Sequence, residues 1–222
     1  MTFAALEALH RLEARFGLEL PEADSLAASI AVVELREREN AFRIGDVCPR
    51  IFVVRSGLLK QLYLKQDGSE WIKSFTGPGD SFACLQALAP GGRTSFASTA
   101  IEPSVVEAID FRLIERLGER HLAWQKAIRL AFQYLAEIKV GRERDLLMLT
   151  AQELYRKFAA ASSALVERVP QKDLAAFLGV TAVGLNRIIR REQRSAPPAS
   201  SNMRPKQPRV AAPPPAGRRS ST

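Results

Sequence analysis

The sequence of 222 residues is poor in the residues that bind metals or cross-link chains, with two cysteines and two histidines. Cys48 and Cys84 cannot form a disulfide framework, and one chain cannot supply the four thiolates of an iron–sulfur site. His10 and His121 lie far apart and lack ligand-like spacing. We therefore expect no metal site and no resident cofactor, and we expect the reducing cytoplasm as the location.

Long apolar runs are also missing. No stretch of 18 apolar residues occurs, so no membrane partner is expected. The first 17 residues lack the basic-then-apolar order of a signal peptide.

No Ser-His-acid or Cys-His arrangement, glycine-rich phosphate loop or cluster of catalytic carboxylates is evident, so we expect no catalytic residues and no enzyme. The charged stretch 142–145 indicates a solvated helix face.

The pattern of apolar residues changes twice along the chain. Residues 3–16 have helical spacing, and short apolar stretches between residues 31 and 110 alternate with turns such as Ser56-Gly57 and Asp67-Gly68. Such regular short strands predict an antiparallel sandwich or barrel. Helical patterns then cover 111–120, about 121–149, and 150–168 with Thr150 as the cap.

The C-terminal 30 residues differ in composition from the rest. The net charge is +8, of which residues 193–222 supply +6 without an acidic residue. They hold seven of the 13 prolines and no aromatic residue. We expect this tail to be disordered, either adding non-specific attraction to phosphates or idle. Its abrupt start also suggests a frameshift in GC-rich DNA, which an independently sequenced reading frame would test.

Residues 170–191 have the spacing of a helix-turn-helix. Gly179 stands at the corner, where positive φ is easiest for glycine, and Thr181 is placed to cap the second helix. The apolar positions agree with this arrangement, and the other side is basic, as expected of a helix that enters the DNA major groove. The alternative is a plain helical hairpin in a core. The candidate DNA contacts are Gln171, Lys172, Thr181, Ala182, Val183, Asn186, Arg187, Arg190 and Arg191.

The long helix carries apolar residues at alternating steps of four and three. This heptad pattern predicts a homodimer seam, because helix-turn-helix proteins usually bind palindromes as two-fold dimers. The alternative is a helix that packs on its own β-domain. The seam candidates are Trp124, Ile128, Ala131, Leu135 and Ile138.

This order of elements resembles the Crp/Fnr family of bacterial transcription regulators over roughly residues 15–192. The most similar pieces are GDVCPRIFVVRSGLLKQLYLKQDGSEWIKSFTGPGDSF and VPQKDLAAFLGVTAVGLNRIIR. The resemblance implies an α+β fold: a jelly-roll-like antiparallel β-roll sensor domain (1–120), a dimerisation helix (121–149), a helix-turn-helix domain (150–192) and the tail (193–222). It implies double-stranded DNA and a second copy as partners, with RNA polymerase a further candidate.

Two departures from the family pattern bear on the ligands. Where cyclic-AMP-binding members have a glutamate for the ribose and an arginine-serine pair for the phosphate, this chain has Cys84 and Thr94-Ser95, with Arg93 one residue early. The slip reverses the facing of the side chain, so we expect no cyclic nucleotide and instead an unknown small effector or none. Cys84 suggests a redox sensor or, more simply, a buried small side chain. The pocket candidates are Phe82, Ala83, Cys84, Leu85, Arg93, Thr94 and Ser95.

The second departure is in the DNA-reading helix. Ala182 and Val183 replace the arginine and glutamate that read bases in well-known members, whereas Arg187 matches a base-reading arginine. Arg187 can read guanine, and the apolar pair can contact a thymine methyl group. No strand pattern follows Glu192, so the family's β-hairpin wing is expected to be absent. Two further hypotheses remain: an interaction or ligand-sensing module that has lost DNA binding, and a true cyclic-nucleotide-responsive regulator.

Overall fold

The computed structural model describes residues 3–195, and its elements confirm the predicted α+β fold. The strands are β1 (Ala31–Leu35), β2 (Asn40–Phe42), β3 (Arg50–Ser56), β4 (Leu59–Leu64), β5 (Glu70–Thr76), β6 (Ser81–Phe82), β7 (Ala97–Ala100) and β8 (Ser104–Asp110). The helices are α1 (Ala4–Phe16), α2 (Leu85–Leu88), α3 (Phe111–Arg120), α4 (Leu122–Met148), α5 (Ala151–Ala161), α6 (Ser163–Arg168), α7 (Gln171–Leu178) and α8 (Ala182–Ser195), with a 3-10 helix at Ala23–Ser29. We call residues 4–120 the sensor and residues 150–195 the head.

Two four-stranded antiparallel sheets form the sensor. The first has the order β1-β8-β3-β6 and the second the order β2-β7-β4-β5. Phenylalanines fill the space between them: the rings of Phe52 and Phe82 stack with centroids 5.0 Å apart, and Phe42 packs 5.4 Å from Phe96. Strands β2 and β6 are three and two residues long, too short to leave a periodic signal in the sequence.

A buried carboxylate joins the first helix to the first sheet. Glu107 of β8 is 0% exposed, and its Oε2 accepts a hydrogen bond from the Ala5 backbone N–H at 2.8 Å. Its Oε1 lies 3.3 Å from Arg55 Nε. The negative charge therefore sits at the N-terminus of α1, where the helix dipole favours it.

Replacing Glu107 by glutamine is expected to lower the free energy of unfolding by about 1–3 kcal/mol, because Arg55 loses its buried counter-charge while the shape is kept. Urea denaturation at pH 7 measures the change. The matched control is Glu34→Gln, an exposed carboxylate on the neighbouring strand β1, where we expect less than about 0.5 kcal/mol. Equal midpoints for the two variants would contradict the role of Glu107.

The long helix α4 leaves the sensor and carries the head. With 27 residues it is about 40 Å long. Trp124 and Ala127 at its start are buried in the sensor core, and the Trp124 indole N–H donates to the Pro21 carbonyl at 2.8 Å. Further along, Ile138 and Val140 are exposed. The first turns of α4 are therefore fixed to the sensor, whereas its later turns carry an exposed apolar face.

Two boundaries differ from the sequence prediction. The predicted helix 150–168 is divided at Ser162, whose backbone leaves the helical region (φ −151°, ψ 54°) before α6 begins. The expected tail begins later than residue 193, because Gln193, Arg194 and Ser195 continue α8. Glutamine and arginine are good helix formers, and the first prolines of this region stand at 197 and 198. The rest of the predicted disordered tail lies outside the described residues.

Candidate nucleic-acid interface and effector pocket

The helix-turn-helix is formed by the same neighbouring residues whose spacing predicted it. Gly179 ends α7 with φ 71°, and the Val180 N–H donates to the Ala175 carbonyl at 3.0 Å. The Thr181 hydroxyl accepts from the Gly184 N–H at 3.1 Å and so caps α8. Leu185 is 0% exposed, which fixes α8 against α7.

The opposite side of α8 faces outward. Arg187 is exposed, and among residues 3–195 no carboxylate lies within salt-bridge distance of its guanidinium. Val183 is 63% exposed, so its apolar side chain is open to a partner. The other predicted contacts are exposed as well: Gln171, Lys172, Thr181, Ala182, Asn186, Arg190 and Arg191.

The far end of α8 is tied to α5. Glu192 Oε2 accepts from Arg156 Nε at 2.7 Å, and Gln152 donates to the other oxygen. The hydrogen bond from Arg156 lowers the pKa of the Glu192 carboxyl. This contact holds α8 in the head beyond the turn, in a region where no wing strand is present among the described residues.

The predicted pocket residues meet around Cys84. The Ser95 N–H donates to Cys84 Sγ at 3.3 Å, and the Ser95 hydroxyl lies 3.6 Å from the same sulfur. Burial raises the pKa of the Cys84 thiol, but the hydrogen bonds from Ser95, together with those from the Ala87 and Gln86 backbone, outweigh it and the net pKa is lowered. Phe82 is buried with Cys84, Ala83 is partly buried and Leu85 is exposed.

The residues that the resemblance places at phosphate-binding positions are engaged within the sensor. The buried Thr94 hydroxyl donates to the Arg43 carbonyl and accepts from the Asp46 N–H. Exposed Arg93 donates from Nη1 to the Gly45 carbonyl at 2.8 Å. These contacts fix the loop before β3. The hydrogen bonds of Thr94 and Arg93 are thus directed at the sensor's own backbone and not at a ligand.

The predicted seam residues divide into two groups. Trp124 is 1% exposed and packs inside its own sensor. The first turn of α4 therefore packs on its own β-domain, which was the alternative to a dimer seam. Ile128 is partly buried against the same core. Ala131 and Ile138 are exposed and Leu135 is half-buried, so these three lie on a face that a second copy can reach.

The head docks on the outer face of the second sheet through an ion pair. Lys60 Nζ of β4 lies 3.0 Å from Asp173 Oδ1 of α7 and 2.6 Å from Glu70 Oε2 of β5. The Lys60 and Asp173 side chains are 13% and 11% exposed, so the pair is largely shielded from water. Beside it, a cleft of about 780 Å³ opens between this sheet and α7.

Apolar and aromatic contacts complete the docking surface. Ala176 and Phe177 of α7 pack against buried Leu62 and Ile72 of the second sheet. Arg142 of α4 donates to the Phe177 carbonyl at 2.6 Å and lies 3.9 Å above its ring. The prediction of a solvated face at 142–145 is therefore wrong for Arg142, which contacts the head, and for Asp145, whose side chain is 13% exposed and paired with Lys157.

Two lysines that the sequence did not single out stand beside the Cys84 region. Lys73 of β5 is half-buried, and its Nζ lies 3.8 Å from the centroid of the buried Phe96 ring. Burial, and then the positive charge of Lys139 on α4, lower the pKa of Lys73 to about 8. No local pattern marks them, because they lie on a strand and a helix 66 residues apart in a sequence rich in lysine and arginine.

The described part of the chain holds no group of three or more histidine, cysteine or acidic residues that could bind a metal ion. None of its helices is long and apolar enough to cross a membrane.

Comparison with known proteins gives consistent similarities. A family model described as the cyclic nucleotide-binding domain matches residues 32–121. The fumarate and nitrate reduction regulatory protein of Escherichia coli (strain K12) is 27% identical over 176 residues, which cover 72% of this chain and 68% of that protein. The anaerobic regulatory protein of Haemophilus influenzae is 28% identical over 174 residues, covering 72% and 66%.

Solved structures share the fold. FixK2 from Bradyrhizobium japonicum superposes with a TM-score of 0.61 at 18% identity and covers 75% of this chain and 85% of that chain. The c-di-GMP responsive regulator CLP of Xanthomonas campestris gives 0.62 at 15% identity, covering 80% and 93%. This chain therefore shares its fold with these two solved structures.

Proposed function

Because the chain belongs to the Crp/Fnr family of transcription regulators and carries a cyclic-nucleotide-binding-like domain, we propose that it is a homodimer that reads a palindromic DNA site with α8. Regulators of this family bind DNA as dimers. The observation that carries the proposal is the capped, exposed face of α8 with Arg187 at its centre, held from behind by buried Leu185.

The dimer seam is the exposed part of α4 around Ala131, Leu135 and Ile138. Its support is a largely exposed apolar row, with Ala131 and Ile138 exposed and Leu135 half-buried, at the heptad spacing of a two-stranded coiled coil. In this arrangement the sensor ends at residue 120, α4 supplies the dimer contact, and the head begins at residue 150. Two heads related by a two-fold axis would reach successive major grooves on one side of the duplex.

Selection and sequencing of random duplex DNA bound by the full-length protein at near-physiological salt tests this proposal. We expect a palindrome whose half-sites lie one helical turn apart, about 34–36 Å. Absence of any enriched sequence, with and without added small molecules, would favour the alternative of an interaction module that has lost DNA binding.

Replacing Arg187 by alanine is expected to cost about 1–3 kcal/mol of discrimination at one base step of each half-site, because a guanidinium can bond guanine O6 and N7 together. Competition binding with single-base variants of the selected site measures it. Arg129→Ala, an exposed arginine on α4, is the matched control and should leave the base preference unchanged. A uniform, salt-sensitive loss at all sequences would instead assign Arg187 to a phosphate contact.

The sensor is proposed to respond to an effector other than a cyclic nucleotide. Cys84 replaces the glutamate that would accept from the ribose, and Thr94 and Arg93 already bond to backbone within the sensor. A buried phosphate would thus lack the bidentate arginine that makes such contacts strong. Titration calorimetry of the full-length protein with cyclic AMP and cyclic GMP should give no saturable heat at micromolar concentration.

A further inference from the structure

The cleft of about 780 Å³ between the second sheet and α7 brings the sensor next to the predicted DNA interface. Lys172, a candidate DNA contact in the first turn of α7, lines the head side of this cleft. Arg38 and Arg43 line the sensor side, one before and one after strand β2. We call these two residues the sensor arginines. The cleft therefore places them across from a lysine that is expected at the DNA backbone.

Both sensor arginines have exposed side chains on a backbone that is held in place. The Arg38 side chain is 88% exposed, and its backbone N–H donates to the Ala100 carbonyl at 2.8 Å. Arg43 is exposed as well, and its backbone N–H donates to Asp46 Oδ2 at 2.7 Å. The Arg43 carbonyl accepts from the Thr94 hydroxyl. The two guanidinium groups thus extend into water from anchored turns.

The carboxylates that line the cleft leave the sensor arginines positive. Glu70 and Asp173 are bound by Lys60, at 2.6 Å and 3.0 Å from its Nζ. Glu37 Oε1 lies 3.3 Å from Arg38 Nε, but both side chains are more than half exposed, and ion pairs of this kind are weak. A phosphate oxygen can therefore displace Glu37 from Arg38, and no carboxylate among the described residues lies within salt-bridge distance of Arg43.

The docking of the head carries the sensor arginines toward the DNA that α8 reads. Lys60 and Asp173 join the second sheet to α7, and Arg168 of α6 donates from Nη2 to the Gly57 carbonyl at 3.0 Å. The sensor therefore approaches the duplex together with the head. In helix-turn-helix complexes the first helix crosses the sugar–phosphate backbone, which here is α7 with Lys172. The sensor side of the cleft then faces the continuation of the same backbone.

We propose that the sensor arginines bind phosphates of the same DNA duplex just outside the half-site that α8 reads. The inference deepens the proposed function and rests on it, since it requires the head to bind DNA. Arginine is suited to this role because its planar guanidinium bonds two phosphate oxygens together. Phosphate contacts set affinity and position without reading bases. The sensor thus adds to the binding energy of the site and lengthens the stretch of DNA that is bound.

Two duplexes that carry the selected palindrome test the proposal. One ends at the palindrome, and the other extends beyond it by about ten base pairs on each side, one helical turn. Fluorescence anisotropy with the full-length protein measures both affinities over a range of salt concentrations. We expect the unaltered protein to bind the longer duplex at least tenfold more tightly. The double variant Arg38→Met/Arg43→Met should bind both duplexes as the unaltered protein binds the short one.

The salt dependence on the longer duplex gives a second readout. Each phosphate contact contributes about 0.9 to the slope of log affinity against log salt concentration. The double variant removes two contacts from each subunit of a dimer, so this slope should fall by about 3–4. On the short duplex the slopes of the two proteins should agree. The preference for each base of the palindrome should be the same in both proteins.

Three single variants serve as controls. Arg38→Lys keeps the positive charge and should keep most of the preference for the longer duplex. Arg50→Met removes an exposed arginine from β3 of the first sheet, which is not part of the cleft, and should leave that preference unchanged. Glu37→Gln removes the carboxylate that competes with phosphate for Arg38, so it should strengthen binding to the longer duplex. The side chains are exposed, so none of these changes should unfold the sensor.

The outcomes separate this inference from the proposed function. Equal binding of the two duplexes by the unaltered protein would overturn the sensor contacts and leave the regulator standing. A preference for the longer duplex that persists in the double variant would also overturn them, as would an equal loss in Arg50→Met, which would indicate an effect of net charge alone. If no sequence is selected at all, the proposed function fails and the sensor contacts fail with it. Arg187→Ala marks the difference, because it should lower base discrimination equally on both duplexes.

Discussion

Replacing Lys60 by methionine is expected to release the head from the sensor. Lys60 is the cation shared by Glu70 and Asp173, and its removal leaves the shielded carboxylate of Asp173 and the partly exposed carboxylate of Glu70 without this counter-charge. Breaking such a pair from one side costs about 3–5 kcal/mol when both groups stay buried. Undocking lets Asp173 reach water, so we expect the head to separate while the sensor stays folded.

Hydrogen exchange on the full-length protein measures this release. Amides of α7 and β5 should lose protection in Lys60→Met, whereas β3 and β8 in the first sheet should not. The double variant Lys60→Met/Asp173→Asn should recover part of the protection, because the unpaired charge on the head is gone. Lys157→Met is the matched control: Lys157 is 53% exposed and Asp145 keeps Arg144 at 3.7 Å, so the change should cost under about 1 kcal/mol. Full protection of α7 in Lys60→Met would rule out the ion pair as a determinant of docking.

Replacing Gly57 by alanine is expected to destabilise the whole sensor by more than about 3 kcal/mol. Gly57 has φ +91°, and a Cβ there would lie 2.2 Å from Ser104 Oγ and 2.6 Å from Ser104 Cα. The obstacle is therefore backbone of the buried strand β8 and cannot rotate away. Strain of the left-handed backbone and overpacking add together at this position.

A matched control separates the two causes. Gly68 has φ +78°, and no atom lies within 4 Å of the place that a Cβ would take, so Gly68→Ala should cost only about 1 kcal/mol of backbone strain. The difference between the two urea midpoints then reports the close approach of Gly57 to Ser104. Similar urea midpoints would mean that β8 can move away from a Cβ at residue 57. The close approach of Gly57 to Ser104 would then not contribute to the loss of stability.

The contrast between these two glycines shows what the sequence could and could not reveal. Both stand in turns that sequence patterns predict, since Ser56-Gly57 and Asp67-Gly68 separate apolar strands. Their positive φ follows from that local pattern. The contact of Gly57 with Ser104 does not, because it joins residues 47 positions apart through the packing of β8.

The same distinction, between features set by local sequence and contacts between distant residues, applies to the functional sites. The helix-turn-helix was predictable because Gly179, Thr181 and Leu185 act within about ten residues of one another. The docking of the head was not, because Lys60 and Asp173 are 113 residues apart and each looks like an ordinary surface charge in the sequence. The heptad pattern gave the correct helix but could not distinguish Trp124, which packs inward, from Ile138, which is exposed.

The contact of Ala5 with Glu107 has a consequence for synthesis on the ribosome. The two residues are 102 positions apart, so α1 emerges roughly 5–20 seconds before its carboxylate partner. A 13-residue helix is marginal in water by itself. Strand β8 also lies between β1 and β3 in the first sheet, so both of those strands wait for it as well. The first sheet of the nascent sensor is therefore completed only after β8 has left the exit tunnel, and α1 meets its carboxylate partner only then.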